Sequence, residues 1–291
     1  MEQDRVEEKV SDVNQSQLKA LVSLLEDDDK EVVENVEAKL LSLGTGVIPF
    51  LEKEWMEKSL IPKVRTKIED IIHTLQYDLL FEKLVSWKDS GAEDLLEGMM
   101  LVANYQYPDL NIQYLRRRFE QYYYEAWPEF KENLSAFDQI KVLNSVMYNK
   151  LKFRPNSKNF HSPSNGMINV VLESKKGNPL SLCVVYLLLA QRLKMPIYGV
   201  NLPNLFIVTY KTDHEQFYIN VFNNGLIFSK EDINNYLDQI HLPHDDMYYQ
   251  PCSNIDIVAR AMRNLVAAFE KLGEYKKADD VKHLLLALEG K

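Results

Sequence analysis

The run Gly177-Asn178-Pro179-Leu180-Ser181-Leu182-Cys183, continued to Ala190, constrains this chain more than any other segment. Asn178 suits a helix N-cap, where its side-chain oxygen accepts a first-turn N–H. Pro179 suits the first helical position, where the N–H it lacks has no intrahelical partner. From Leu182 to Ala190 only Tyr186 carries a strong polar handle. A helix that is apolar all round is buried on every side, so the rest of the fold must be built around it. A helix N-terminus at the edge of a core is also where the helix dipole favours a cysteine thiolate. Here the first turn offers proline and serine instead. The segment predicts an enzyme-like scaffold and puts its nucleophile in question.

The chain has 291 residues, 46% apolar and 26% charged, which fits a globular protein of about two domains. Its formal net charge of −9 argues against a dedicated nucleic-acid or anionic-membrane surface, which would be basic. Arg116-Arg117-Arg118, beside Phe119 and Tyr122, reads as a solvated helix face with an aromatic packing edge. Two cysteines, Cys183 and Cys252, make no disulfide framework in a chain of this length. A free thiol at Cys183 fits a reducing compartment. The N-terminus MEQDRVEEKV shows no signal peptide, and the apolar run 182–190 is shorter than the roughly 20 residues that span a bilayer. These features predict a cytoplasmic protein.

Residues 1–90 read as an N-terminal helical region. Leu21, Leu24 and Leu25, then Val32, Val33, Val36, Leu40 and Leu41, recur at helical spacing. Asp27-Asp28-Asp29 supplies a helix start, Gly44 and Gly46 a stop, and Ile48-Pro49-Phe50-Leu51 opens the next helix. That order looks like one HEAT repeat unit. Residues 91–240 form the predicted core. Helices with a break at Tyr107-Pro108-Asp109 lead to a Pro-, Asn- and Ser-rich loop at 154–166, then the buried helix. Short β-rich runs at 197–200, 205–210, 216–222 and 226–228 follow, separated by turn residues, and predict an antiparallel sheet packed on the helix. Residues 241–291 return to helix. Ser253-x-x-Asp256 resembles a capping box, Val258, Met262, Leu265, Val266 and Phe269 make a stripe, and Gly273 separates a second helix. The hairpin looks like a single tetratricopeptide unit, too short to stand alone.

The segments LLEGMMLVANYQYPDL, LNSVMYNKLKF, INVVLESKKGNPLSL, LAQRLKMPIYGVNLP and FYINVFNNGLIF follow one another in order. Together they resemble the bacterial transglutaminase-like family that includes the Sir invasion-regulator proteins. The resemblance runs from about Leu95 to the C-terminus. It implies an α+β, mostly helical chain with a transglutaminase-like (papain-like) core and helical-repeat-like ends. The wider superfamily uses a Cys–His–Asp triad, a nucleophile, base and orienting acid. Matched position by position, Pro179 stands for the cysteine, Leu205 for the histidine and Asn220 for the aspartate. Proline has no nucleophilic atom and leucine carries no proton. The inherited route to covalent acyl transfer is therefore lost.

The resemblance also brings the loop holding His161 near the site. The possible pocket comprises His161, Asn178, Ser181, Cys183 and Asn204, with Cys183 one turn below Pro179. No metal is expected: His241-x-x-His244 with Asp245 and Asp246 encloses Pro243 and lacks a third histidine or a cysteine nearby. No phosphate loop or dinucleotide fingerprint occurs, so no cofactor is expected. The tyrosine clusters Tyr122-Tyr123-Tyr124 and Tyr248-Tyr249 are candidate partner anchors. At least one of the first three must be exposed, because consecutive helical residues do not share a face. The expected function is a non-catalytic scaffold or regulator that binds a protein or peptide, with neither nucleic acid nor membrane as partner. The alternative is a hydrolase or acyltransferase using Ser181, Cys183 and His161.

Overall fold

The computed structural model describes residues 15–57, 61–131, 133–157 and 162–290. The chain forms two compact units, one ending at Lys83 and one running from Leu84 onward. In the first, α1 (Gln15–Leu24), α2 (Lys30–Ser42) and α3 (Ile48–Met56) precede the long α4 (Pro62–Asp89), whose residues to Lys83 complete it. Asp29 starts α2, its carboxylate accepting the Glu31 N–H at 2.9 Å. Gly44 takes φ 71°, a left-handed turn that lets the chain leave α2. The stripes read from the sequence converge: Val22, Val33, Val36, Leu40, Leu51 and Ile68 share one buried cluster.

The second unit begins in the last turns of α4, where Leu84 and Trp87 are buried. It continues with α5 (Leu95–Asn104), α6 (Ile112–Ala126) and α7 (Ala136–Asn144), which a π-helical turn, Ser145–Lys150, extends. A short parallel ladder pairs β1 (Arg154–Pro155) with β2 (Lys176–Gly177). Between them lie the 3₁₀ turn Pro163–Gly166 and α8 (Ile168–Ser174). After α9 (Pro179–Arg192) comes an antiparallel meander of β3 (Ile197–Leu202), β4 (Leu205–Lys211), β5 (Gln216–Asn220) and β6 (Leu226–Phe228). The chain then runs through α10 (Lys230–Gln239), α11 (Asn254–Leu272) and α12 (Tyr275–Glu289). This is the mostly helical α+β architecture expected, with an antiparallel sheet packed on a buried helix.

Every residue of α9 from Leu180 to Ala190 is buried, as its all-round apolarity requires. Its one strong polar handle is satisfied: Tyr186 donates to Asn144 Oδ1 at 3.0 Å, and Asn144 Nδ2 donates to the Gly225 carbonyl at 3.1 Å. Gly225 sits at φ 75°, and a Cβ there would fall 2.1 Å from Asn144 Oδ1, so the turn admits only glycine. α9 packs on β3 and β4. On the opposite face Val200, Leu202, Ile207 and Tyr218 cluster with Ile233 and Leu237 of α10. The pleat sorts these side chains, since directly paired residues share a face.

The helix signal for α10 is weak, with only Ile233, Tyr236 and Leu237 apolar at i, i+3 and i+4 in a run rich in Asn and Asp. A Ser229–Asp232 capping box starts it. The third β-rich run stops at Asn220, where Val221–Asn223 turns into a 3₁₀ helix. Ser253 and Asp256 form the expected capping box on α11, and Gly273 closes that helix at φ 76°. α11 packs against α12, α5 and the Pro163–Gly166 turn. Tyr105 holds α12 by donating to Asp280 Oδ2 at 2.9 Å. Among the described residues no helix is long and apolar enough to cross a membrane.

Leu189, fully buried in the middle of α9, measures how much the fold depends on this helix. Leu189→Ala is expected to lower stability by about 2–5 kcal/mol, seen as a lower denaturation midpoint at unchanged slope. A midpoint within error of the parent would contradict the central placement.

Candidate functional site

The site is built on the N-terminus of α9. Asn178 caps the helix, its Oδ1 accepting the Ser181 N–H at 2.8 Å. Ser181 answers: its Oγ accepts the Asn178 N–H at 3.0 Å and donates to the Asn165 carbonyl at 2.7 Å. Asn165 is in turn gripped by Asn156, whose Nδ2 donates to its Oδ1 at 2.7 Å. The cap thus fastens α9 to the Pro163–Gly166 turn. Ser181 is fully buried, and Gly177 makes room for it, since a Cβ there would fall 2.4 Å from Ser181 Oγ.

In front of this cap lies a cavity of about 290 Å³. Asn178 and Pro179 form its floor, Met99 comes from α5, Phe206 from β4, and Arg260 and Asn264 from α11. Ser181 and Asn204 also reach it. Asn204 stands in the two-residue turn between β3 and β4 with φ 57°, a conformation asparagine tolerates better than most side chains. No histidine, aspartate or glutamate lines the cavity among the described residues.

The structure thus brings Asn178, Pro179, Ser181 and Asn204 together. Leu205 lies elsewhere: it pairs with Leu202 and packs into the cluster that α10 covers, while its neighbour Phe206 faces the cavity. Period-two alternation separates them. Asn220 caps the turn after β5, its Oδ1 accepting the Asn223 N–H at 3.1 Å. Neither Leu205 nor Asn220 lines the cavity. His161 lies outside the described residues. Cys183 is fully buried, its thiol 3.5 Å from the Phe206 carbonyl.

Burial pushes the Cys183 thiol well above its ordinary range, because the apolar surroundings disfavour the thiolate. Burial likewise pushes Cys252 up to about 12. Both are thiols at neutral pH, the opposite of what a cysteine nucleophile requires. Among the described residues no group of three or more His, Cys, Asp or Glu side chains is placed to hold a metal ion. Of the tyrosine clusters, Tyr122 and Tyr249 are buried, each with its hydroxyl donating, to the Leu172 carbonyl and to Asn234 Oδ1 respectively. They are core residues, not surface anchors. Tyr123 and Tyr248 are half-buried, and Tyr124 is exposed.

Sequence reasoning missed the α11 wall. Arg260 donates from Nη1 to Asn201 Oδ1 at 3.0 Å and to the Leu202 carbonyl at 3.3 Å, tying the helix to the β3–β4 hairpin. A signal existed: Arg260, Asn264 and Ala267 recur at i, i+4 and i+7, a polar and small-residue stripe beside the apolar one.

The family model for the transglutaminase-like superfamily matches residues 113–263, just over half of the chain. A UPF0162 protein of Xylella fastidiosa is 28% identical over 198 residues, covering 65% of this chain and 70% of that protein. A UPF0162 protein of Vibrio cholerae is 23% identical over 141 residues, 48% of this chain and 52% of its own. F-box only protein 21 of Mus musculus is 29% identical over 84 residues, 29% of this chain and 13% of its own. No solved structure matches the chain.

Two outcomes follow from the cap and from the buried Cys183 thiol. Ser181→Ala removes the hydroxyl's bonds to the Asn165 carbonyl and the Asn178 N–H while the Asn178 side chain still caps the helix, at a cost of about 1–3 kcal/mol in unfolding free energy. Cys183 is expected to resist a small thiol reagent at pH 8 in the native protein and to react fully on denaturation. Fast reaction of Cys183 in the native protein would contradict its burial and its raised thiol pKa.

Proposed function

This chain belongs to the transglutaminase-like superfamily, and we propose that it is a non-catalytic member of the Sir invasion-regulator type, a cytoplasmic scaffold or regulator that binds a protein or peptide. The single observation carrying this reading is the chemistry at the mouth of α9. Pro179 occupies the position that the resemblance gives to the nucleophile, and it borders a cavity with no histidine or carboxylate among its described walls. The two neighbouring nucleophilic atoms are committed. Ser181 Oγ is held in the cap, and Cys183 is a buried, protonated thiol. Acyl transfer needs a nucleophile within hydrogen-bond reach of a base. In this reading the triad is degenerate by resemblance at Pro179, Leu205 and Asn220, of which only Pro179 borders the cavity, and the cavity has passed from catalysis to recognition.

The same reading assigns the chain three parts: a HEAT-like helical region at 1–90, the transglutaminase-like core at 91–240 and a tetratricopeptide-like hairpin at 241–291. Helical repeats present faces to protein partners. Tyr124, 64% exposed, with Tyr123 beside it, is the most accessible aromatic pair of the tyrosine clusters. The net charge of −9 supports a protein partner over nucleic acid or an anionic membrane.

Purified protein is expected to release no ammonia from glutaminyl peptides, to incorporate no primary amine into them and to hydrolyse no peptide above background. Turnover that disappears in Ser181→Ala or Cys183→Ala would contradict this reading and favour a hydrolase or acyltransferase built around Ser181, Cys183 and His161.

A further inference from the structure

The cavity's polar wall is one-sided. Its only ionisable side chain among the described residues is Arg260, in a chain that carries nine more negative than positive charges. Arg260 is half-buried, and burial lowers its pKa, yet a guanidinium stays protonated at neutral pH. No carboxylate pairs with it among the described residues. Its two hydrogen bonds both leave from Nη1, to Asn201 Oδ1 and the Leu202 carbonyl. These fix the plane of the guanidinium and leave the Nε–Nη2 edge without a protein partner. That edge is a preset two-donor fork, and the group that matches it is a planar carboxylate.

The other polar atoms agree. Asn178 spends its Oδ1 on the cap, so its Nδ2 donors remain. The Asn264 amide has no hydrogen bond among the described residues and stands on the same α11 face, one turn beyond Arg260. The N-terminal end of the 14-residue α9 lies at the cavity floor and adds its partial positive charge. The remaining walls, Met99, Val102, Met167, Phe206 and Leu265, are apolar. Asn204, Asn264 and Ala267 are exposed, so the cavity opens at their rim. At about 290 Å³ it sits at the small end of ligand pockets, roughly 300 Å³ upward, enough for one or two residues of a peptide and not for a long segment.

We propose that this cavity captures the C-terminal carboxylate of a peptide or protein whose last side chain is apolar, with Arg260 as the counter-charge and Asn178 and Asn264 as flanking donors. The proposal rests on the reading of the site as one of recognition and names its ligand. A phosphate would call for further cations beside Arg260, which the described walls do not supply. An amidated or internal peptide would offer the guanidinium edge a single neutral carbonyl oxygen in place of two charged ones.

The test uses the full chain and acetylated dipeptides ending in Ala, Val, Leu or Met, each as the free acid and as the C-terminal amide, with isovalerate as a small free carboxylate. Calorimetric titration is expected to show the free acid of at least one dipeptide binding, with its amide at least about tenfold weaker, the scale of a lost charge-assisted pair. Arg260→Gln is expected to remove that preference. Because Arg260 also ties α11 to the β3–β4 hairpin, Asn264→Asp supplies a second variant. It adds a like charge beside the ligand carboxylate, leaves the Arg260 bonds intact and is expected to weaken the free acid about tenfold or more. Equal binding of acid and amide, or an unchanged preference in both variants, overturns the proposal. Binding of isovalerate alone overturns the peptide assignment in favour of a small carboxylate. Binding by none of these ligands overturns the proposal and leaves the non-catalytic reading standing, whereas hydrolysis or amine exchange of a dipeptide would overturn the non-catalytic reading itself.

Discussion

The second unit depends on one local exchange of hydrogen bonds. A helix buried on every side still begins with N–H groups that lack intrahelical acceptors, and these must be met without water. Asn178 and Ser181 meet them reciprocally, and the Ser181 hydroxyl donates a hydrogen bond to the Asn165 carbonyl. The cap therefore does two jobs. It ends α9 cleanly at the edge of the core, and it pins the Pro163–Gly166 turn against that end. A serine used in this way is unavailable as a nucleophile, since its hydroxyl proton and an oxygen lone pair are already committed. The local requirement of the fold and the reading of the site as non-catalytic thus meet at Ser181.

The second consequence concerns the C-terminal hairpin. α11 lies against α5 and the Pro163–Gly166 turn, and its Arg260 is bonded to the β3–β4 hairpin. The helix is thus a wall of the cavity rather than an appendage. Its cation borders the cavity beside Asn178 and Pro179. In the proposed account, a site whose nucleophile is absent keeps its shape and gains a fixed charge, which suits selection of a ligand terminus more than transformation of it.

Much of this was legible in the sequence because the signals were strong and local. The apolarity of 182–190 could only mean a buried helix, Asn178 and Pro179 marked its start, and Ser253 with Asp256 marked the start of α11. The meander followed from alternating runs and turn residues at 197–228, although β5 ends at Asn220 because that residue caps a 3₁₀ turn instead of continuing the strand. The less legible parts were tertiary. α10 carries only a Ser229–Asp232 capping box and one short apolar stripe in an Asn- and Asp-rich run, and the sheet face it covers completes its explanation. Arg260 belongs to an ordinary amphipathic helix by spacing, and its role appears only when the hairpin at Asn201 and Leu202 is placed beside it. Leu205 and Phe206 differ by one residue, yet the pleat sends them to opposite faces, so a motif that matches in order does not fix which side chain reaches the cavity. Tyr122 illustrates the same limit from the other side: its cluster looked like a surface anchor, but the helix turns that residue into the core to donate to the Leu172 carbonyl.

The central claim, that the mouth of α9 is a capped recognition cavity without a nucleophile, is tested most directly by intact-protein mass spectrometry after incubation with an activated acyl donor. The account predicts no adduct on peptides spanning Ser181 or Cys183. A single stoichiometric acyl adduct mapped to either residue in the folded protein would contradict it.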